Sequence, residues 1–146
     1  MNLTEHFRLE ELTRSDVAQR RGIDNHAGLE IITHLTQLAL GLEKIRQALG
    51  DKPLRISSGY RCPELNRAVG GAKLSAHMDG YAADFTCPDF GTPLEIVRAL
   101  TKSNIQFDKL IQEGTWVHVS FAPAARRQIY TAHFAPGQPT TYTAGA

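Results

Sequence analysis

Apolar residues in the first third of the chain fall at helical steps. Leu29, Ile32, Leu35, Leu38, Leu42, Ile45 and Leu49 recur every three or four positions, which predicts one long amphipathic helix from about Ala27 to Leu49, stopped by Gly50. Before it, Ser15 is placed to cap a short helix over Asp16–Arg21, with Gly22 as its stop. The period then changes. Pro53-Leu54-Arg55-Ile56-Ser57 alternates as a strand does, and Ser58-Gly59 breaks it. Pro63 to Val69 predicts a short helix ended by Gly70-Gly71, and Ala82-Ala83-Asp84-Phe85-Thr86 a second strand. Thr92-Pro93-Leu94-Glu95 has the form of a capping box with proline in the first turn, so a helix is expected from there to about Thr101. Two more strands, Lys109 to Gln112 and Val117 to Phe121, are joined through Glu113-Gly114-Thr115-Trp116. Beyond Pro123 the chain is rich in Ala, Thr, Pro and Gly, and residues 122–146 are expected to form a loosely packed tail. Together these elements predict an α+β fold, a small antiparallel or mixed sheet with helices packed on one face, in a single domain whose core spans about residues 3–121.

Strand alternation then sorts the chemistry. On the last predicted strand Val117, Val119 and Phe121 share a core face, which turns Trp116, His118 and Ser120 the other way. Asp84 shares its face with Ala82, and His77 precedes it by seven residues across Gly80. Two histidines and one aspartate can hold a zinc ion and leave its fourth position open for water. Small Ala82 and flexible Gly80 leave room for such an ion and let the loop carrying His77 fold back. With a two-residue Gly114-Thr115 loop, Glu113 faces Trp116 and Ile111 faces His118, all on one side of the sheet. Glu113 then lies diagonal to His118, about 7–8 Å away at the backbone, and is the candidate general base. Arg61, just past a strand end, is placed to clamp a substrate carboxylate or to steady an oxyanion. Each residue has a plainer reading. A hydrogen-bonded His–Asp pair, a surface salt bridge for Arg61 and a core position for Trp116 stay open, and His6, His26, His34 and His133 read as surface or boundary residues.

Composition narrows the partners. The 146 residues are 42% hydrophobic and 21% charged, with a formal net charge of +1, as in an ordinary globular protein. Lys and Arg are spread along the chain, so nucleic acid is not expected as a partner; no apolar run reaches membrane-spanning length, so membrane insertion is not expected either. A monomer is expected. The opening Met1-Asn2-Leu3-Thr4-Glu5-His6 lacks the basic-then-apolar pattern of a secretory signal, which predicts synthesis in the cytoplasm with any export by another route. Cys62 and Cys87 stand in no C-x-x-C arrangement and are expected as free thiols.

The motifs resemble those of the zinc D-Ala-D-Ala carboxypeptidase family, which shares its fold and metal site with Hedgehog signalling domains and includes many phage cell-wall peptidases. Ser75, His77, Gly80, Ala82 and Asp84 match its signature S-x-H-x-x-G-x-A-x-D, and Ser58-Gly59-Tyr60-Arg61 matches its upstream element. His6-Phe7, Glu10-Glu11-Leu12, the run Leu65 to Gly71 and Trp116-Val117-His118 are similar to the phage-associated branch. The resemblance implies His77, Asp84 and His118 as ligands of one zinc ion, and Arg61, Ser75 and Trp116 as contacts to a peptidoglycan stem peptide. It also implies action on the cell wall, after release or as part of a phage particle, and an acidic base shortly before His118. Here the chain departs from the family: Thr115 and Trp116 occupy the positions where relatives carry an acid or a second histidine, and Glu113 is the nearest acid. Neither a terminal-residue carboxypeptidase nor an endopeptidase is favoured. The contrasting expectation is a non-catalytic phage structural or wall-binding module whose zinc is closed by a fourth protein ligand, with Cys87 the residue in question.

Overall fold

Capping chemistry sets the helix starts. The computed structural model, which describes residues 1–146, places a short helix α1 at Leu9–Thr13 and α2 at Asp16–Arg21. Ser15 Oγ accepts from Ala18 N at 3.2 Å, and Gly22 ends α2 in the left-handed conformation, as expected. Helix α3 spans Leu29–Ala48, α4 Pro63–Ala68 and α5 Pro93–Thr101. At α5 the predicted capping box forms: Thr92 Oγ1 accepts from Glu95 N, and Glu95 Oε1 accepts from Thr92 N. The apolar stripe of α3 is sealed at Leu35, Leu38, Leu42 and Ile45, whereas Leu29, the first residue of the helix, is 85% exposed.

Six strands follow: β1 Arg55–Ser58, β2 Ala82–Thr86, β3 Lys109–Gln112, β4 Val117–Ser120, β5 Gln128–His133 and β6 Thr141–Ala144. They form one mixed sheet in the order β1-β2-β4-β3-β5-β6, antiparallel except for the β3–β5 pair. Its core face carries Ala83 and Phe85 of β2, Leu110 of β3, and Val117 and Val119 of β4, packed with α3 and with Ile96, Val97 and Leu100 of α5. Burying these side chains is the main favourable term, at about 25 cal/mol per Å² of apolar surface. The fold is therefore α+β. The opposite sheet face is left for polar work.

The tail departs from expectation. Residues 122–146 do not simply pack loosely: β5 pairs in parallel with β3, and β6 pairs with β5, which widens the sheet by two strands. Ala132 is buried and Ile129 packs against the core, while β6 is exposed along its length. Strand β6, Thr-Tyr-Thr-Ala, alternates over only four residues and buries neither face, so pairing with β5 rather than burial holds it as a strand.

A bulge in β1 aims the next loop. Ile56 pairs with Phe85 and Ser58 with Asp84, so Ser57 is an extra residue opposite β2, and the chain turns there towards the polar face. Buried Asn25 holds the loop between β1 and α4: its amide donates to Thr13 O at 2.9 Å and Tyr60 O at 3.0 Å, and its Oδ1 accepts from Cys62 N at 2.8 Å. Asn25→Ala strands a buried donor and two buried or half-buried carbonyls, and is expected to cost about 1–3 kcal/mol in urea denaturation. An unchanged midpoint and slope would show that this bridge does not hold the loop.

Candidate metal centre and cleft

Three donor atoms meet on the polar sheet face. Asp84 of β2 pairs with His118 of β4 in register, which brings His118 Nδ1 within 3.0 Å of Asp84 Oδ1. His77 arrives from the loop before β2, with Nε2 at 3.3 Å from the same oxygen. Gly80 lets that loop turn, because its φ of +78° is a conformation side-chain-bearing residues rarely adopt. His77 and Asp84 are buried and His118 is half-buried, and one donor atom from each lies within 4.8 Å of the others.

Hydrogen-bond accounting favours a cation among them. His77 Nδ1 lies 2.7 Å from Gly59 O, a contact that requires Nδ1–H to donate. When the ring is neutral, as a metal ligand must be, its Nε2 lone pair faces a carboxylate oxygen, a pairing that a cation between them makes favourable. Around a tetrahedral ion with bonds of about 2.0–2.1 Å, neighbouring donors lie about 3.3–3.4 Å apart, close to the spacings found. The donor set suits a metal of zinc's kind. Gly59 itself has no spare room, since a Cβ there would collide with the backbone carbonyl of Leu12.

Asp84 is held well below the ordinary carboxylate range. Burial pushes its pKa up, but in the metal-free site hydrogen bonds from His118 and His77, and the charge of these rings when protonated, outweigh it. Its second oxygen faces Arg61 Nη2 at 3.7 Å. Arg61 also donates from Nε to Ser58 Oγ at 3.3 Å and from Nη1 to Asn66 Oδ1 at 3.1 Å, so its guanidinium is anchored on several sides. Ser75 lines the cleft, yet its hydroxyl accepts from His77 N at 3.2 Å and so braces the ligand loop.

The hairpin register is as expected. Ile111 pairs with His118, and Glu113 N donates to Trp116 O at 3.0 Å, which puts Glu113 and Trp116 beside the donor cluster on the cleft face. Glu113 is half-buried. Burial pushes its carboxyl above the ordinary 4.5, with the charge of Asp84 adding to the rise and that of His118 opposing it. Cys87 does not join the cluster: it belongs to the hydrophobic core, with Sγ 3.9 Å from Lys52 O. Both cysteines are free. The cleft, about 930 Å³, continues past the donors to Lys109, Asp108 and Arg126 and to an aromatic side of Trp116, Phe134 and Tyr142. Residues of β5 and β6 therefore line it, which no motif spacing indicated. No helix is long and apolar enough to cross a membrane.

The chain belongs to the Peptidase M15 family, whose model matches residues 5–120. It is also similar to a zinc D-Ala-D-Ala carboxypeptidase of Streptomyces albus G, 49% identical over 43 residues. That segment covers 30% of this chain and only 17% of the relative.

The environment of Glu113 has a measurable consequence. A carboxyl whose pKa is raised on folding binds its proton more tightly in the folded state, so its contribution to stability is lost as pH rises from about 4.5 through the folded value. At pH 7 the metal-free Glu113→Gln variant is expected to denature at higher urea than the parent, with the difference vanishing below about pH 4. A parent equal to or more stable than the variant at pH 7 would contradict the burial argument.

Proposed function

We propose that this member of the Peptidase M15 family is a zinc-dependent peptidase that hydrolyses peptide bonds in bacterial peptidoglycan stem peptides. The observation that carries the reading is the convergence of His77 Nε2, His118 Nδ1 and Asp84 Oδ1, with the His77 proton already committed to Gly59 O. One zinc ion held by these atoms supplies Lewis acidity for the scissile carbonyl and a water acidified for attack.

The chain's own groups do the rest. Glu113, diagonal to His118 across the hairpin, accepts the proton from the attacking water and returns it to the departing amine. Its upward shift moves it towards the range in which a general base works at neutral pH. Arg61, anchored by Ser58 and Asn66, holds positive charge beside the carbonyl as negative charge develops on it. Trp116 lines the cleft next to Glu113, and Ser75 keeps the His77 loop in place while contacting the substrate. The substrate is wall material met after release of the protein or as part of a phage particle. A purely structural zinc is closed by a fourth protein ligand; Cys87 sits in the core instead, which favours the catalytic reading over a wall-binding module.

Zymography on purified peptidoglycan tests this directly. Chelation is expected to abolish clearing and added zinc to restore it, and His77→Ala is expected to lose both metal and activity. Glu113→Gln should keep one bound zinc per chain while the rate falls about 10²–10⁴-fold. Clearing that survives complete chelation, or a fully active Glu113→Gln, would sink the mechanism.

A further inference from the structure

Strand register maps the cleft floor. Asp84, His118, Ile111 and Tyr130 form one row across the sheet. One step along, Trp116 and Glu113 form a second row; one step the other way, Ala82, Ser120 and Lys109 form a third. Steps of two residues along a strand are about 7 Å. Glu113 and Lys109 thus flank Ile111, each diagonal to His118 but on opposite sides of it. The base lies at one side of the donor cluster and a cation at the other.

That cation is not alone. Asp108, 4% exposed, binds Arg126 through both carboxylate oxygens, with Nε and Nη2 each at 2.9 Å, and accepts the Arg126 backbone N–H at 3.0 Å. The buried carboxylate fixes the arginine's plane and leaves Nη1 without a protein partner beside the cleft. Lys109 is half-buried and forms no salt bridge. With Lys109 and Arg126 set against Asp108, one positive charge is in excess at this end. Arg61, by contrast, already faces Asp84, Ser58 and Asn66.

We propose that Lys109 and Arg126 form an anion subsite that takes a carboxylate of the substrate one or two residues from the scissile peptide bond. The inference rests on the peptidase reading and adds the substrate class, an acidic peptide. An offset of about 7 Å equals roughly two residues of extended peptide at 3.3–3.6 Å each. A planar guanidinium pre-oriented by Asp108 and a lysine ammonium lining the same cleft suit a carboxylate, which can accept from both. Arg126 lies beyond the family-matched residues 5–120, so this half of the subsite belongs to the segment that adds β5 and β6.

The test begins with mass analysis of digested stem peptides to locate the cut. Steady-state kinetics then use two synthetic peptides spanning that bond, identical except that the carboxylate nearest the cut is free in one and amidated in the other. The zinc-loaded parent is expected to prefer the free acid. Lys109→Met and Arg126→Ala should each raise KM for the acid about ten- to hundredfold, with kcat much less affected and a far smaller change on the amide. Equal losses on both peptides would assign the residues to anchoring the tail and overturn the subsite, as would a parent indifferent to amidation. No hydrolysis of either peptide by the zinc-loaded parent would overturn the peptidase reading, and the subsite with it.

Discussion

A carboxylate and two imidazoles aimed at one point, largely out of water, make an arrangement that does not hold itself together. Desolvating Asp84 is costly, and it shares one oxygen between two imidazole nitrogens. Neighbouring parts of the fold restrain these groups. The β2–β4 register fixes Asp84 against His118. The Gly59 carbonyl fixes the tautomer of His77. Arg61 takes the oxygen of Asp84 that the histidines leave free. The bulge at Ser57 and the bridge through Asn25 in turn hold the loop that carries Gly59 and Arg61. The donor geometry is thus supported by a second layer of backbone and amide contacts, as metal sites require.

Much of this was legible in the chain, for identifiable reasons. The capping box at Thr92 and the alternation through Val117, Val119 and Phe121 are local signals, and local signals survive into the structure. The face shared by Glu113, Trp116 and His118 came from a period of two plus a two-residue loop. The roles of Asn25 and Asn66 were hidden, because their partners lie tens of residues away or on backbone carbonyls, which no side-chain pattern records. Leu29 failed for the opposite reason: its periodicity is intact, but its own side chain is left uncovered at the start of α3 while Ile31 packs against the core.

The tail is the instructive miss. Strand β6 alternates over only four residues and is exposed throughout, so no buried face announces it. It exists because β5 offers an open edge, and β5 exists because β3 does. A short segment held mainly by pairing with its neighbours is only weakly marked in a reading that proceeds one window at a time.

That same dependence separates two tasks along the chain. The donors and Glu113 lie within the stretch shared with the family, while Phe134, Tyr142 and Arg126 come from the segment beyond it. Changes in that segment can reshape one side of the cleft without moving a metal-facing atom. The wall that shapes this side of the cleft is thus encoded apart from the residues that gather the donor atoms.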